Sequence, residues 1–144
     1  MQISATISNS LSQNEITVTT NDSKNDIHIP SKSTGKGSSV NGGELLFLSL
    51  ATCFCNDIYR EAGKRNIDIE SVEVTVSGEF GKEGEPAISI SYKTNIKSNA
   101  PKNEISDLIR HVDQIAEIHN TLRRGIDVTL QIDPTGDANE NQIR

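Results

Sequence analysis

Gly42-Gly43-Glu44-Leu45-Leu46-Phe47-Leu48-Ser49-Leu50-Ala51-Thr52-Cys53-Phe54-Cys55-Asn56-Asp57-Ile58-Tyr59-Arg60-Glu61-Ala62-Gly63-Lys64-Arg65-Asn66 is the stretch that decides the fold. Read as a helix, its first three turns carry no polar stripe, so it must be covered on every side. A Gly-Gly pair opens it and a run of charges closes it. At roughly 20 residues, it is too polar at one end for a membrane span. It reads as a central core helix that holds both cysteines of the chain inside the protein or at a seam.

On either side of this helix the apolar residues change period. Ile3, Ala5 and Ile7 alternate within Gln2–Ser8, and Ile16 and Val18 within Glu15–Thr20, which predicts two strands joined as a hairpin through the turn-rich Asn9–Asn14. Ile27 and Ile29 flank His28 and predict a third strand over Asp26–Pro30. Ser31–Gly43 is rich in Ser, Lys, Thr, Gly and Asn, a flexible loop leading into the helix. Beyond Asn66, Ile67 to Phe80 and Ile88 to Ile96 alternate as two long strands, linked into a hairpin by Gly81-Lys82-Glu83-Gly84-Glu85-Pro86. Ile105, Leu108, Ile109, Val112, Ile115, Ala116 and Leu122 restore the helical period from Pro101 to Arg124. Pro101 suits the first turn, Arg123 and Arg124 suit the negative end of the dipole, and Gly125 stops the helix. Ile126, Val128, Leu130 and Ile132 predict a last strand. The expected order is β-β-β-α-β-β-α-β, an α+β fold in one domain over residues 1–133 with a polar tail over 134–144.

The length of 144 residues suits one domain, and the net charge of −6, scattered rather than blocked, gives nucleic acid nothing to bind. No charged stretch followed by an apolar one opens the chain, and two cysteines two residues apart form no disulfide framework. A cytoplasmic location, away from membranes, is the expectation. With no Trp, two Tyr and three Phe, the core is lean, and pairing with a second copy is expected to complete it.

Chemistry centres on Cys53. A reactive cysteine needs a cation or a helix N-terminus to lower its pKa. Cys53 lies about ten residues into the helix, beyond the reach of its dipole. Arg60, seven residues on, returns to nearly the same helical face and is the candidate activator, whereas Asp57, four residues on, shares that face and competes for the arginine. The other reading is a buried, inert thiol that fills space. Cys55 diverges from Cys53 by roughly 200° on a helix, so the two neither pair nor chelate one ion. His28, His111 and His119 supply no ligand spacing, so neither metal nor cofactor is expected. His111 reads as solvated, and His119 reads as a surface or helix-end residue. Gly35-Lys36-Gly37 lacks the spacing of a phosphate loop.

Two motifs and the element order resemble the OsmC/Ohr family, the osmotically inducible and organic hydroperoxide resistance proteins. One motif is Gly42-Gly43-Glu44-Leu45-Leu46 followed by Ala51-Thr52-Cys53-Phe54. The other is Asn120-Thr121-Leu122-Arg123-Arg124-Gly125 running into Ile126-Asp127-Val128-Thr129-Leu130. The resemblance covers roughly residues 1–132. It implies an intertwined homodimer with two central helices packed together and the thiol site at the interface. It also implies that Cys53 attacks a small organic hydroperoxide. The family's second, resolving cysteine falls on Ala116-Glu117-Ile118-His119, and no cysteine follows Cys55. The family's glutamate at the start of the central helix falls on Gly43, with Glu44 one residue away. Its arginine partner has no counterpart between Asp22 and Val40, where Lys24, Lys32 and Lys36 stand. The candidate catalytic set is therefore Cys53, Arg60 and Glu44, and the expected activity is sluggish thiol-dependent peroxide reduction, with an external thiol or Cys55 of a second copy as the reductant. The alternative is a non-enzymatic dimer that holds a small apolar ligand.

Overall fold

Asn41 fixes where the central helix begins. Its side-chain Oδ1 accepts from the Glu44 backbone N–H at 2.9 Å, and the Glu44 carboxylate accepts from the Asn41 N–H at 2.8 Å. This reciprocal capping box satisfies two amide donors that the first turn would otherwise leave bare. The computed structural model describes residues 1–132. In chain order its elements are β1 (Ile3–Ser10), β2 (Gln13–Thr20), β3 (Ser23–Asn25), α1 (Gly42–Lys64), β4 (Ser71–Phe80), β5 (Ala87–Lys97), α2 (Lys102–Ile115) and α3 (Glu117–Arg124). The fold is α+β, with an antiparallel sheet β1-β2-β3 and a second antiparallel pair β4-β5.

The core forms where α1 meets β4 on one side and α2 on the other. Phe54, Ile58 and Ala62 of α1 are buried with Leu108, Val112 and Ala116, while Ile67, Val72, Val74, Tyr92 and Ile96 close the sheet side. Val72, Val74 and Val76 alternate toward α1 because successive strand residues face opposite sides. Gly78 has no room for a side chain. A Cβ there would stand 2.2 Å from the Ser89 carbonyl oxygen of β5 and 2.9 Å from the Phe47 ring of α1, so a side chain would first break the hairpin pairing and then crowd the helix.

Three expectations are corrected. The third strand is Ser23–Asn25, paired with Val18–Thr20, rather than Asp26–Pro30. Asn21, at φ 51°, makes so tight a turn that pairing starts at once and ends before Ile27. The second helix is two helices, broken at Ala116, whose φ of −64° and ψ of 108° are extended. Carbonyls freed at the end of α2 find side chains from α3: Asn120 Nδ2 donates to the Gln114 oxygen at 2.9 Å and Arg123 Nη1 to the Asp113 oxygen at 2.8 Å. Finally, residues 126–132 form no strand, and Val128, Leu130 and Ile132 are fully or largely exposed. A strand needs a neighbour to accept its hydrogen bonds, and no described strand flanks this segment. The tail expected at 134–144 lies outside the described residues.

α1 is covered unevenly. Leu50, Phe54, Asp57, Ile58, Glu61 and Ala62 are buried, yet Leu48 is 60% exposed and Leu45 also faces outward. The β1-β2-β3 sheet is bare as well, with β1 exposed along its length. Its link to the loop before α1 is polar, for example Gly37 N–H donating to Asn9 Oδ1 at 2.8 Å. No helix of the described residues is long and apolar enough to cross a membrane.

Candidate functional site

Cys53 and Asp57 stand one turn apart on α1, and the Cys53 Sγ donates to Asp57 Oδ2 at 3.6 Å. The break at Ala116 turns the start of α3 toward this pair. Sulfur and the nearest oxygens of Asp57 and Glu117 lie within 4.8 Å of one another, and the backbone N–H of Ile118 faces the sulfur. Cys53 is therefore remote from the start of its own helix but close to the start of another. The balance of forces still goes against the thiolate. Burial pushes the Cys53 pKa up, the Ile118 amide pulls it down, and the Asp57 and Glu117 carboxylates push it up again, leaving it above its ordinary value.

Arg60 does not reach the sulfur as a free cation. Its Nη1 lies 2.7 Å from Asp57 Oδ1 and its Nε 3.0 Å from Glu61 Oε1. Seven-residue spacing brings it round to the face of Cys53, but Asp57 intercepts it one turn earlier. Glu61, itself buried, also takes Lys64 Nζ at 2.8 Å and His111 Nε2 at 3.2 Å. Hydrogen bonds from Lys64 and Arg60 outweigh its burial and hold its carboxyl down to about 2. Glu44 is nine residues from Cys53, about 14 Å along the helix axis, and its carboxylate is engaged in the capping box. The structure thus brings Cys53 and Arg60 into one cluster, through Asp57, and leaves Glu44 outside it. Cys55 points elsewhere, into a shallow depression with Ala51, Thr52, Asn56 and Val74. A sulfur and two carboxylates are plausible donors to a divalent ion. Here Arg60 already occupies Asp57, and a second cation beside it would be repelled.

A second polar group escaped the sequence reading. His119, expected at the surface, is 5% exposed and wedged between Phe54 and Tyr92, with ring centroids 5.6 and 4.6 Å away. Neither ring nitrogen has a partner among the described residues. Burial first, then the Arg123 charge, lowers its pKa, so the ring is held neutral. Leu108, Val112, Ala116 and His119 recur at helical spacing, and that stripe was the signal that His119 faces inward. Beside it the Tyr92 hydroxyl donates to the Asp113 carboxylate, which Arg123 Nη2 also binds, at 2.6 Å. Burial and Asp113 push the Tyr92 phenol up to about 12. Leu50, Ile90, Tyr92, His119, Leu122 and Arg123 line an open cleft of about 260 Å³.

The chain is an α+β protein that carries a cysteine on its central helix, facing the start of another helical segment. The sequence pattern of the family described as OsmC-like protein matches residues 35–131, and the chain belongs to that family. No curated protein matches the chain. Among solved structures it is similar to an OsmC-like protein from Mycoplasma pneumoniae, at 20% identity and a TM-score of 0.60, over 85% of this chain and 89% of the other. It is also similar to an organic hydroperoxide resistance protein from Legionella pneumophila, at 22% identity and a TM-score of 0.53, over 87% and 94% of the two chains. A third likeness is to the organic hydroperoxide resistance protein OhrB of Bacillus subtilis, at 18% identity and a TM-score of 0.51, over 92% and 98%. At these identities the likenesses speak to the fold.

Proposed function

We propose that this OsmC-like chain works as a homodimer in a reducing compartment and reduces organic hydroperoxides slowly through Cys53 alone. The observation that carries this reading is the placement of a half-exposed thiol against the free Ile118 amide at the start of α3. The Cys53 thiolate attacks the terminal oxygen of ROOH. The O–O bond breaks, ROH leaves after taking up a proton, and Cys53 becomes a sulfenic acid. Two equivalents of an external thiol then return the cysteine, with water and a disulfide as products. The Ile118 N–H favours the thiolate, while Asp57 and Glu117 keep its population small. Glu117 stands in the stretch where the family resemblance places a resolving thiol, so the second half of the cycle depends on an outside reductant.

The dimer rests on bare apolar surface. Leu48, Ile3, Ile88 and the alternating Val128, Leu130 and Ile132 are exposed in the single chain. Exposed apolar side chains in this number favour an interaction surface, and a second copy is the partner that covers the same helix in both chains. A second reading, a non-enzymatic binder of a small apolar molecule, is favoured by the cleft between Leu50, Tyr92 and His119.

Consumption of cumene hydroperoxide with added dithiothreitol separates the readings. Slow turnover in the wild type, loss in Cys53→Ser, and faster turnover in Glu117→Cys are expected. Turnover no greater in the wild type than in Cys53→Ser overturns the enzymatic reading.

A further inference from the structure

Glu117 stands out because it is the acid of the thiol cluster that no cation holds at ion-pair distance among the described residues; Arg60 feels its charge only from farther off. Asp57 has Arg60, and Glu61 has Arg60, Lys64 and His111. Glu117 makes no ion pair among the described residues, although its oxygen lies within 4.8 Å of the Cys53 sulfur. Glu117 is exposed, whereas Asp57 is buried. A reagent that reaches the Cys53 sulfur therefore comes within contact range of a carboxylate that has no ion-pair partner among the described residues.

We infer that Glu117 is a specificity-determining residue that makes the Cys53 site select against anions. The site takes neutral alkyl hydroperoxides and neutral or cationic thiols. It disfavours hydroperoxides that carry a carboxylate and thiols with net negative charge. Resting on the reading of Cys53 as the reactive thiol, this goes further by naming the charge class of both substrates. The size of the effect follows from Coulomb's law. A unit charge 4–5 Å away is worth roughly fivefold in rate in water-like surroundings, and more where the dielectric constant falls. An anion loses that factor and a cation gains it, so the contrast between the two compounds.

Charged thiol reagents read this directly, without peroxide. In a Cys55→Ser background, Cys53 is modified with 2-(trimethylammonium)ethyl methanethiosulfonate, which is cationic, and with 2-sulfonatoethyl methanethiosulfonate, which is anionic. Rates come from mass spectrometry, each normalised to an unstructured cysteine peptide. The normalised cation-to-anion ratio is expected to exceed tenfold at low salt, to shrink as salt screens the charge, and to fall at least threefold in Glu117→Gln. A ratio equal to that of the peptide, an unchanged ratio in Glu117→Gln, or a folded protein in which neither reagent reaches Cys53 overturns the inference. Because no turnover is measured, absence of peroxidase activity with the ratio intact would defeat the functional reading and leave the charge selection standing.

Discussion

The two halves of α1 are built from similar residues and end up in opposite surroundings. From Phe54 to Ala62 the inward face is covered by the chain's own α2, β4 and β5. In the first half Leu45 and Leu48 are as apolar, yet they face outward. Cys53 sits at the boundary between them. Apolar periodicity says that a surface has to be covered; it does not say which chain covers it. The contrast between the halves locates the hydrophobic core and an apolar surface that the single chain leaves bare.

The most damaging way to probe the contrast is Phe54→Ala. A fully buried phenylalanine removed from the covered half is expected to cost about 3–5 kcal/mol in urea unfolding, since its 0% exposure leaves no route to relax toward solvent. Leu48→Ala comes next. Were Leu48 a true surface residue, truncation would cost no more than about 0.5 kcal/mol. Covered by a second copy, it is expected to cost about 2 kcal/mol or more, with an unfolding midpoint that falls on dilution and a smaller mass by light scattering.

Acid should also distinguish groups within the covered half. His119 is held neutral when folded, so its contribution is complete above its unfolded pKa of about 6.5. That contribution is lost as pH falls below this value toward the lowered folded pKa, because the unfolded chain takes up a proton that the folded chain resists. His119→Leu is therefore expected to flatten the decline in stability between pH 7 and pH 5. At lower pH a separate loss, from about 4.5 down to about 2, follows Glu61, whose carboxyl is depressed by its Lys64 and Arg60 bonds. Urea midpoints across this range check both. The smallest effect lies at the start of the uncovered half: Asn41→Ala removes one arm of the capping box and is expected to cost about 1 kcal/mol.

The elements with strong local signals were legible in the sequence. Gly42 to Lys64 and the β4-β5 hairpin follow from apolar period and turn residues, and the α+β class follows from their order. The break at Ala116 was not legible, because no glycine or proline marks it and the buried stripe Leu108, Val112, Ala116 and His119 keeps a helical period across it. Arg60 was placed on the right face and Asp57 was read as its competitor; helical spacing names the rivals but not the winner, and Asp57 took the charge. The alternation of Ile126, Val128, Leu130 and Ile132 is a genuine strand pattern without a strand, since pairing depends on a neighbour that the pattern cannot name.

The break at Ala116 also leaves a reporter at the site. The first helical bond of α3 runs from the Asn120 N–H to the Ala116 oxygen, so the Ile118 amide has no carbonyl to donate to within its helix. What that proton meets is the sulfur of Cys53. Amide hydrogen exchange and the nitrogen chemical shift of Ile118 should therefore follow the oxidation state of a side chain 65 residues earlier in the sequence, changing when the thiol gains an oxygen and reverting when it is reduced.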